Sequence, residues 1–286
     1  MTAPGFVHLH VHTEYSLIDS VVRLPELVAA TAAAGMPAVA MTDQGNLFGL
    51  VKFYREALAA GIKPVVGAEV WVIGREEQAE AARLVLLCRN GPGYRSLSRL
   101  LSRAWLDGQD NGVPLVHASW LDGDATSGLI ALSGGQDGVL GRALLAGPPE
   151  RAERAAAACR EWFGGDFYVE LQRTGRPHEN SYVEAATLFA SRMGFPVVAT
   201  NDVRFLKPDE FDAHEARVCI QQSRILADPG RPRLYSEQQY LRTPAEMQSL
   251  FADLPEALAN SVEIAKRCNV TLSLGETHLP DYAVPN

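Results

Sequence analysis

Seven short apolar runs rich in β-branched residues recur along the chain, and segments with helical periodicity separate most of them. The runs are VHLHVH from Val7, PAVAMT from Pro37, PVVGAEVWV from Pro64 and RLVLLC from Arg83. GLIALS from Gly128, FYVELQ from Phe167 and PVVATND from Pro196 complete the series. Between them, LPELVAATAAAG from Leu24 and YVEAATLFASRMG from Tyr182 carry apolar residues at helical spacing. This alternation predicts a parallel sheet wrapped by helices. Seven or eight such units in about 250 residues favour closure into a βα barrel over an open sheet. Most runs end in a polar or charged residue: His12, Asp43, Glu69, Ser133, Asp202. In βα barrels the chemistry sits at that end of the strands, so the endings point to one site.

From about Asp209 the pattern changes. FDAHEARVCIQQ reads as a helix and RTPAEMQSLFADLPEALANSVEIAKRC as a helical pair, with Thr243, Pro244 and Glu246 as cap, first-turn proline and capping-box acid. The tail LGETHLPDYAVPN reads as a domain boundary. No apolar run approaches the ~20 residues of a membrane span. The opening residues show no basic n-region followed by an apolar h-region, so no secretory signal is expected. Four cysteines, Cys88, Cys159, Cys219 and Cys268, show no CxxC spacing, which suits reduced thiols in a cytoplasm. A net charge of −8 argues against gripping phosphate backbones, so little direct nucleic-acid binding is expected. The loop QRTGRPHEN, with Arg173, Arg176 and His178, reads as solvated.

Three of the seven histidines, His8, His10 and His12, alternate in the first run. On a strand such positions share a face, and inside a barrel two imidazoles ~6–7 Å apart can converge on a metal. The HxH pattern also opens amidohydrolase barrels, so the spacing does not choose a family.

HVHTEYSLID, MTDQGNLFGLVKFY, GIKPVVGAEV, LSGG, ATNDVRF and YLRTPAEMQSLFADLPEALANSVEIAKRC together resemble polymerase-and-histidinol-phosphatase (PHP) domains of the kind that open bacterial DNA polymerase III alpha subunits. The resemblance covers essentially the whole chain. GNLFGLVKFY and FADLPEALAN look like the polymerase branch rather than free-standing phosphatases. It implies a distorted seven-stranded (β/α) barrel of PHP type over residues 1–208, in agreement with the strand count. A helical C-terminal part over 209–275 and a linker, 276–286, toward an absent palm domain would follow.

The resemblance also implies the site. Active members hold up to three metal ions at the strand ends. His10, His12, Glu69 and Asp202 match the shell of one ion, leaving a possible single residual site for zinc or manganese. Asp19 matches a retained acid, and His8 falls outside the pattern as a packing residue. Four matching positions carry no ligand: Gln44, Arg83, Gly135 and Arg204. Arg83 and Arg204 are expected to occupy the vacated ion positions and pair with the acids. With two ions unsupported, phosphoester hydrolysis should be lost and no cofactor is expected. The implied role is stability of the polymerase and docking of its proofreading exonuclease subunit. The rival readings are an active 3′–5′ exonuclease or pyrophosphatase, and a histidinol-phosphatase-like enzyme.

Overall fold

A computed structural model describes residues 5–74, 80–121 and 123–277. His278 and the linker beyond residue 277 lie outside the described residues. The strands are β1 (Ala38–Met41), β2 (Lys63–Ile73), β3 (Ala82–Cys88), β4 (Gln109–Asp110), β5 (Val113–His117), β6 (Leu129–Leu132), β7 (Phe167–Gln172) and β8 (Val197–Thr200). The helices are α1 (Leu24–Ala33), α2 (Leu50–Ala59), α3 (Gly91–Asp107), α4 (Val139–Ala146), α5 (Pro149–Phe163), α6 (Glu179–Met193), α7 (Phe211–Gln221), α8 (Pro244–Leu250) and α9 (Pro255–Arg267). Among the described residues, no helix is long and apolar enough to cross a membrane.

Pairing runs β1-β2-β3-β6-β7-β8. The first run, residues 7–12, closes the ring as extended chain. Its His8 and Val11 carbonyls accept from Ala40 and Thr42 on one side. On the other, the His10 carbonyl accepts from Val203 N and His12 N donates to the Val203 carbonyl. All seven predicted runs thus lie in one ring. The expectation of a wholly parallel sheet fails at β3, which runs antiparallel to both β2 and β6. β2 and β3 follow one another within eight residues, too few for the helical crossover that a parallel pair needs. This reversal has a consequence for the site: the start of β3, not its end, lies at the mouth, which brings Arg83 there instead of Cys88.

The ring encloses Val7, Leu9, Ala40, Val85, Ile130, Leu132 and Val198, while alternate residues such as Val11, Val39, Leu84 and Val169 belong to the outer core. Side chains of α9, Val262, Ile264, Ala265 and Cys268, join the inner cluster. Ser261 Oγ accepts from Val7 N, Asn260 Nδ2 donates to the Val197 carbonyl and Lys63 Nζ donates to the Ala265 carbonyl. These partners are strand starts, so α9 plugs the end of the barrel away from the mouth. α8 opens with the expected capping box: Thr243 and Glu246 hydrogen-bond reciprocally.

Candidate functional site

The first run carries one extra residue. Two consecutive acceptors, His8 and Val11, stand three apart, whereas their donors Ala40 and Thr42 stand two apart. Such a bulge resets the side-chain alternation. Val7 and Leu9 face the barrel interior, yet His10 and His12 do so as well, and Val11 faces out. His8 therefore leaves the shared face that simple alternation predicts. Its ring packs edge-on against Phe6, 4.8 Å between centroids, and its Nε2 donates to the Arg242 carbonyl at 2.8 Å. Burial lowers its pKa to about 4, so it packs as a neutral ring.

At the mouth, His10, His12, Glu69 and Asp202 each offer a donor atom, all within 4.8 Å of one another, and all four residues are buried. His10 Nε2 lies 3.1 Å from Glu69 Oε2 and 3.4 Å from Asp202 Oδ1. Its Nδ1 lies 2.8 Å from Glu170 Oε1. Burial disfavours a charged His10, but Glu170 and Asp202 outweigh it and raise the pKa to about 10. His12 Nδ1 lies 3.0 Å from Asp19 Oδ1, and its Nε2 lies 3.7 Å from Glu69 Oε2.

Arg204 fills the space among these acids. Its side chain is fully buried. Nε donates to Asp202 Oδ1 at 2.9 Å, Nη2 to the same oxygen at 2.5 Å, and Nη1 to Asp19 Oδ2. Arg83 stands further off. Nη1 is 3.5 Å from Asp202 Oδ2 and Nε is 3.7 Å from Glu69 Oε2, and Nε has no hydrogen-bond partner. The expected pairing of both guanidiniums with the acids is therefore hydrogen-bonded for Arg204 and an ion-pair contact for Arg83. Burial works against the ionised acids, yet Arg204, His10 and Arg83 hold Asp202 well below the usual carboxylate range. Arg204 and His12 do the same for Asp19, and Arg83 and His12 lower Glu69 to about 2.

The remaining predicted positions contribute little side-chain chemistry. Gln44 joins through its backbone, bridging to Glu69 and donating from N to Ser16 Oγ at 3.0 Å. Gly135 has φ +61°, and a Cβ there would sit 2.5 Å from Gln172 Oε1. The carboxamide of Gln172 thus occupies the space that a ligand at 135 would need.

Several site residues escaped the sequence reading. Glu170 and Gln172 alternate at the end of β7, a polar pair within an apolar run that could have drawn attention. Thr200 Oγ1 donates to Glu170 Oε1 at 2.5 Å. Gln239 Nε2 donates to Asp202 Oδ2 at 2.8 Å and Tyr235 OH donates to Asp19 Oδ2 at 3.2 Å, and nothing in their local sequence signals this. The QRTGRPHEN loop is not simply solvated: Arg176 is buried and donates to Asp137 at 2.7 Å, and Arg173 forms a two-pronged pair with Asp253.

Comparison with protein families matches residues 8–174 to the PHP domain. The chain belongs to the PHP domain family. DNA polymerase III subunit alpha of Pseudomonas aeruginosa is 54% identical over 285 residues, covering 99% of this PHP chain and 24% of that protein. The Escherichia coli K12 subunit is 50% identical over 282 residues, again with 99% and 24% coverage. The chain therefore spans about a quarter of the length of these relatives. Among solved structures, an amidohydrolase from Chromobacterium violaceum with bound sulfate aligns with TM-score 0.51 at 16% identity, covering 74% of this chain and 96% of that one. That likeness concerns the fold alone.

Two imidazoles and two carboxylates are a donor set that suits zinc or manganese. In this PHP domain, His12 Nε2 and Glu69 Oε1 are buried without hydrogen-bond partners, which fits one divalent ion at the four-residue group. Arg204 contests that fit, because its Nη2 shares Asp202 Oδ1 and lies 3.8 Å from Glu69 Oε2. Like charges this close repel by several kcal/mol, about 8 for a monovalent and a divalent ion at 4 Å and an effective dielectric of 20.

Proposed function

We propose that this chain is the PHP domain of a bacterial DNA polymerase III alpha subunit in which side-chain cations have replaced the ions of a phosphoesterase centre. The observation that carries the reading is Arg204, wholly buried and hydrogen-bonded to both Asp19 and Asp202. On this reading His10, His12, Glu69 and Asp202 are the remnant of the shell that once held one ion. Gln44, Arg83, Gly135 and Arg204 stand where further ligands belonged. Metal phosphoesterases activate water on one ion and neutralise phosphate with its neighbours. A guanidinium supplies fixed charge but no open coordination position and no acidic water. The domain then serves as a brace for the polymerase and a docking platform for its proofreading exonuclease subunit. Polymerisation itself resides in a palm outside this chain. All four cysteines are free and buried, in keeping with a cytoplasmic protein.

The unpartnered His12 Nε2 favours one competing reading, a single-ion phosphoesterase. One experiment separates the two. Zinc and manganese are quantified in protein purified without chelator, beside a His10→Ala, His12→Ala variant, and manganese-dependent nucleotide release from a labelled primer is followed. Equal metal content and no release are expected. About one extra ion in the unaltered protein, or turnover that the variant loses, would overturn the proposal.

A further inference from the structure

The segment from Tyr235 to Leu241 crosses the barrel mouth. Ser236 Oγ donates to the Thr174 carbonyl, just past the end of β7. Gln239 Nε2 donates to Asp202 Oδ2 at 2.8 Å and to the Asp202 carbonyl at 3.2 Å, just past the end of β8. Arg204 N donates to the Gln239 carbonyl at 2.9 Å, and Leu241 N donates to the Phe205 carbonyl at 3.1 Å. Asn201 Nδ2 reaches both the Gln238 and the Tyr240 carbonyls at 2.8 Å. The segment therefore pairs with residues 201–205 much as a short added strand would.

Its side chains cover the acids. Tyr235 lays its ring 5.6 Å from the Arg204 guanidinium and donates its hydroxyl to Asp19. Gln239 is fully buried. Asp202 has φ +44°, a left-handed backbone unfavourable for a non-glycine residue, and the paired Gln239 bonds hold it there. Beneath this cover His12, Glu69, Asp202 and Arg204 have no exposure to solvent.

We propose that residues 235–241 form a fixed lid on the barrel mouth, and that this lid denies phosphoester-sized molecules access to His12 independently of which ligands occupy the site. Restoring the lost metal ligands would leave the entrance shut to phosphoesters. The segment leading into α8 is thus a second barrier to hydrolysis.

The test is acylation of histidines by diethyl pyrocarbonate, mapped by tandem mass spectrometry. The reagent acylates a ring nitrogen that it can reach, and His12 Nε2 has no hydrogen-bond partner to shield it. Exposed His178 is the internal reference. In the unaltered chain His12 should react at least about a hundredfold more slowly than His178. A Tyr235→Ala, Gln239→Ala variant should raise the His12 rate by about tenfold or more, leaving His178 and circular dichroism unchanged. If that variant unfolds, its native circular dichroism is lost, and Ser236→Ala, which removes one lid bond, decides the matter with native dichroism retained. Rapid acylation of His12 in the unaltered chain, or no change in a folded lid variant, would overturn the proposal.

Discussion

Replacing Arg204 with leucine removes the cation from between two buried acids. Asp202 loses two hydrogen bonds and Asp19 loses one, and both side chains stay out of water. Breaking a buried pair in this way costs roughly 3–5 kcal/mol, because the partner is left as an uncompensated charge. With an unfolding entropy of about 2.1 cal/mol/K per residue, a chain of this length should melt about 5–8 °C lower. The pH dependence has a definite sign. In the unaltered chain these acids have lowered pKa values, so their stabilisation is present above about pH 4 and is lost only in stronger acid. Without Arg204 burial raises them, the folded state takes up protons more readily, and the deficit shrinks from pH 7 to pH 5. If the guanidinium stands in for an ion, added manganese should raise the melting temperature of the variant and not of the parent. Thermal melts by circular dichroism at both pH values, with and without manganese, provide the readout. A shift below about 1 °C at pH 7, or a larger deficit at pH 5, would refute the reasoning.

Glu170→Gln tests the other side of the cluster. His10 has a folded pKa raised to about 10, so its contribution is full below about pH 6.5 and fades as pH climbs through 10. The variant should melt lower at pH 7 and lose less on going from pH 7 to pH 10; parallel curves would disprove the assignment. Gly135→Cys, which reinstates a ligand type, should cost about 1–3 kcal/mol through its left-handed backbone and its clash with Gln172. Adding Gln172→Ala should recover only the clash, and a Gly135→Cys protein as stable as the parent in urea unfolding would contradict that account.

Much of this molecule was written in local periodicity. Each of the seven apolar runs became part of the ring, and the Thr243–Glu246 capping box formed as spelled out. The ligand-type residues His10, His12, Glu69 and Asp202 also came together, because strand ends converge at a barrel mouth whatever the loops do. The direction of β3 was not legible, since an apolar run buried on both faces looks the same read either way. Nor was the turn of His8 away from His10: a single inserted residue flips the alternation, and only the pairing with Ala40 and Thr42 reveals it.

Which groups balance the buried acids was decided in three dimensions. Glu170 reaches His10 across 160 residues, and Gln239 reaches Asp202 across 37. Such contacts depend on which strands become neighbours and on where a connecting segment crosses, not on any spacing along the chain. The sequence by itself determined the strands, the caps and the kinds of donor available. The folded barrel alone determined that Arg204 lies wholly among those acids while Arg83 stays a step outside, because burial and distance are properties of packing.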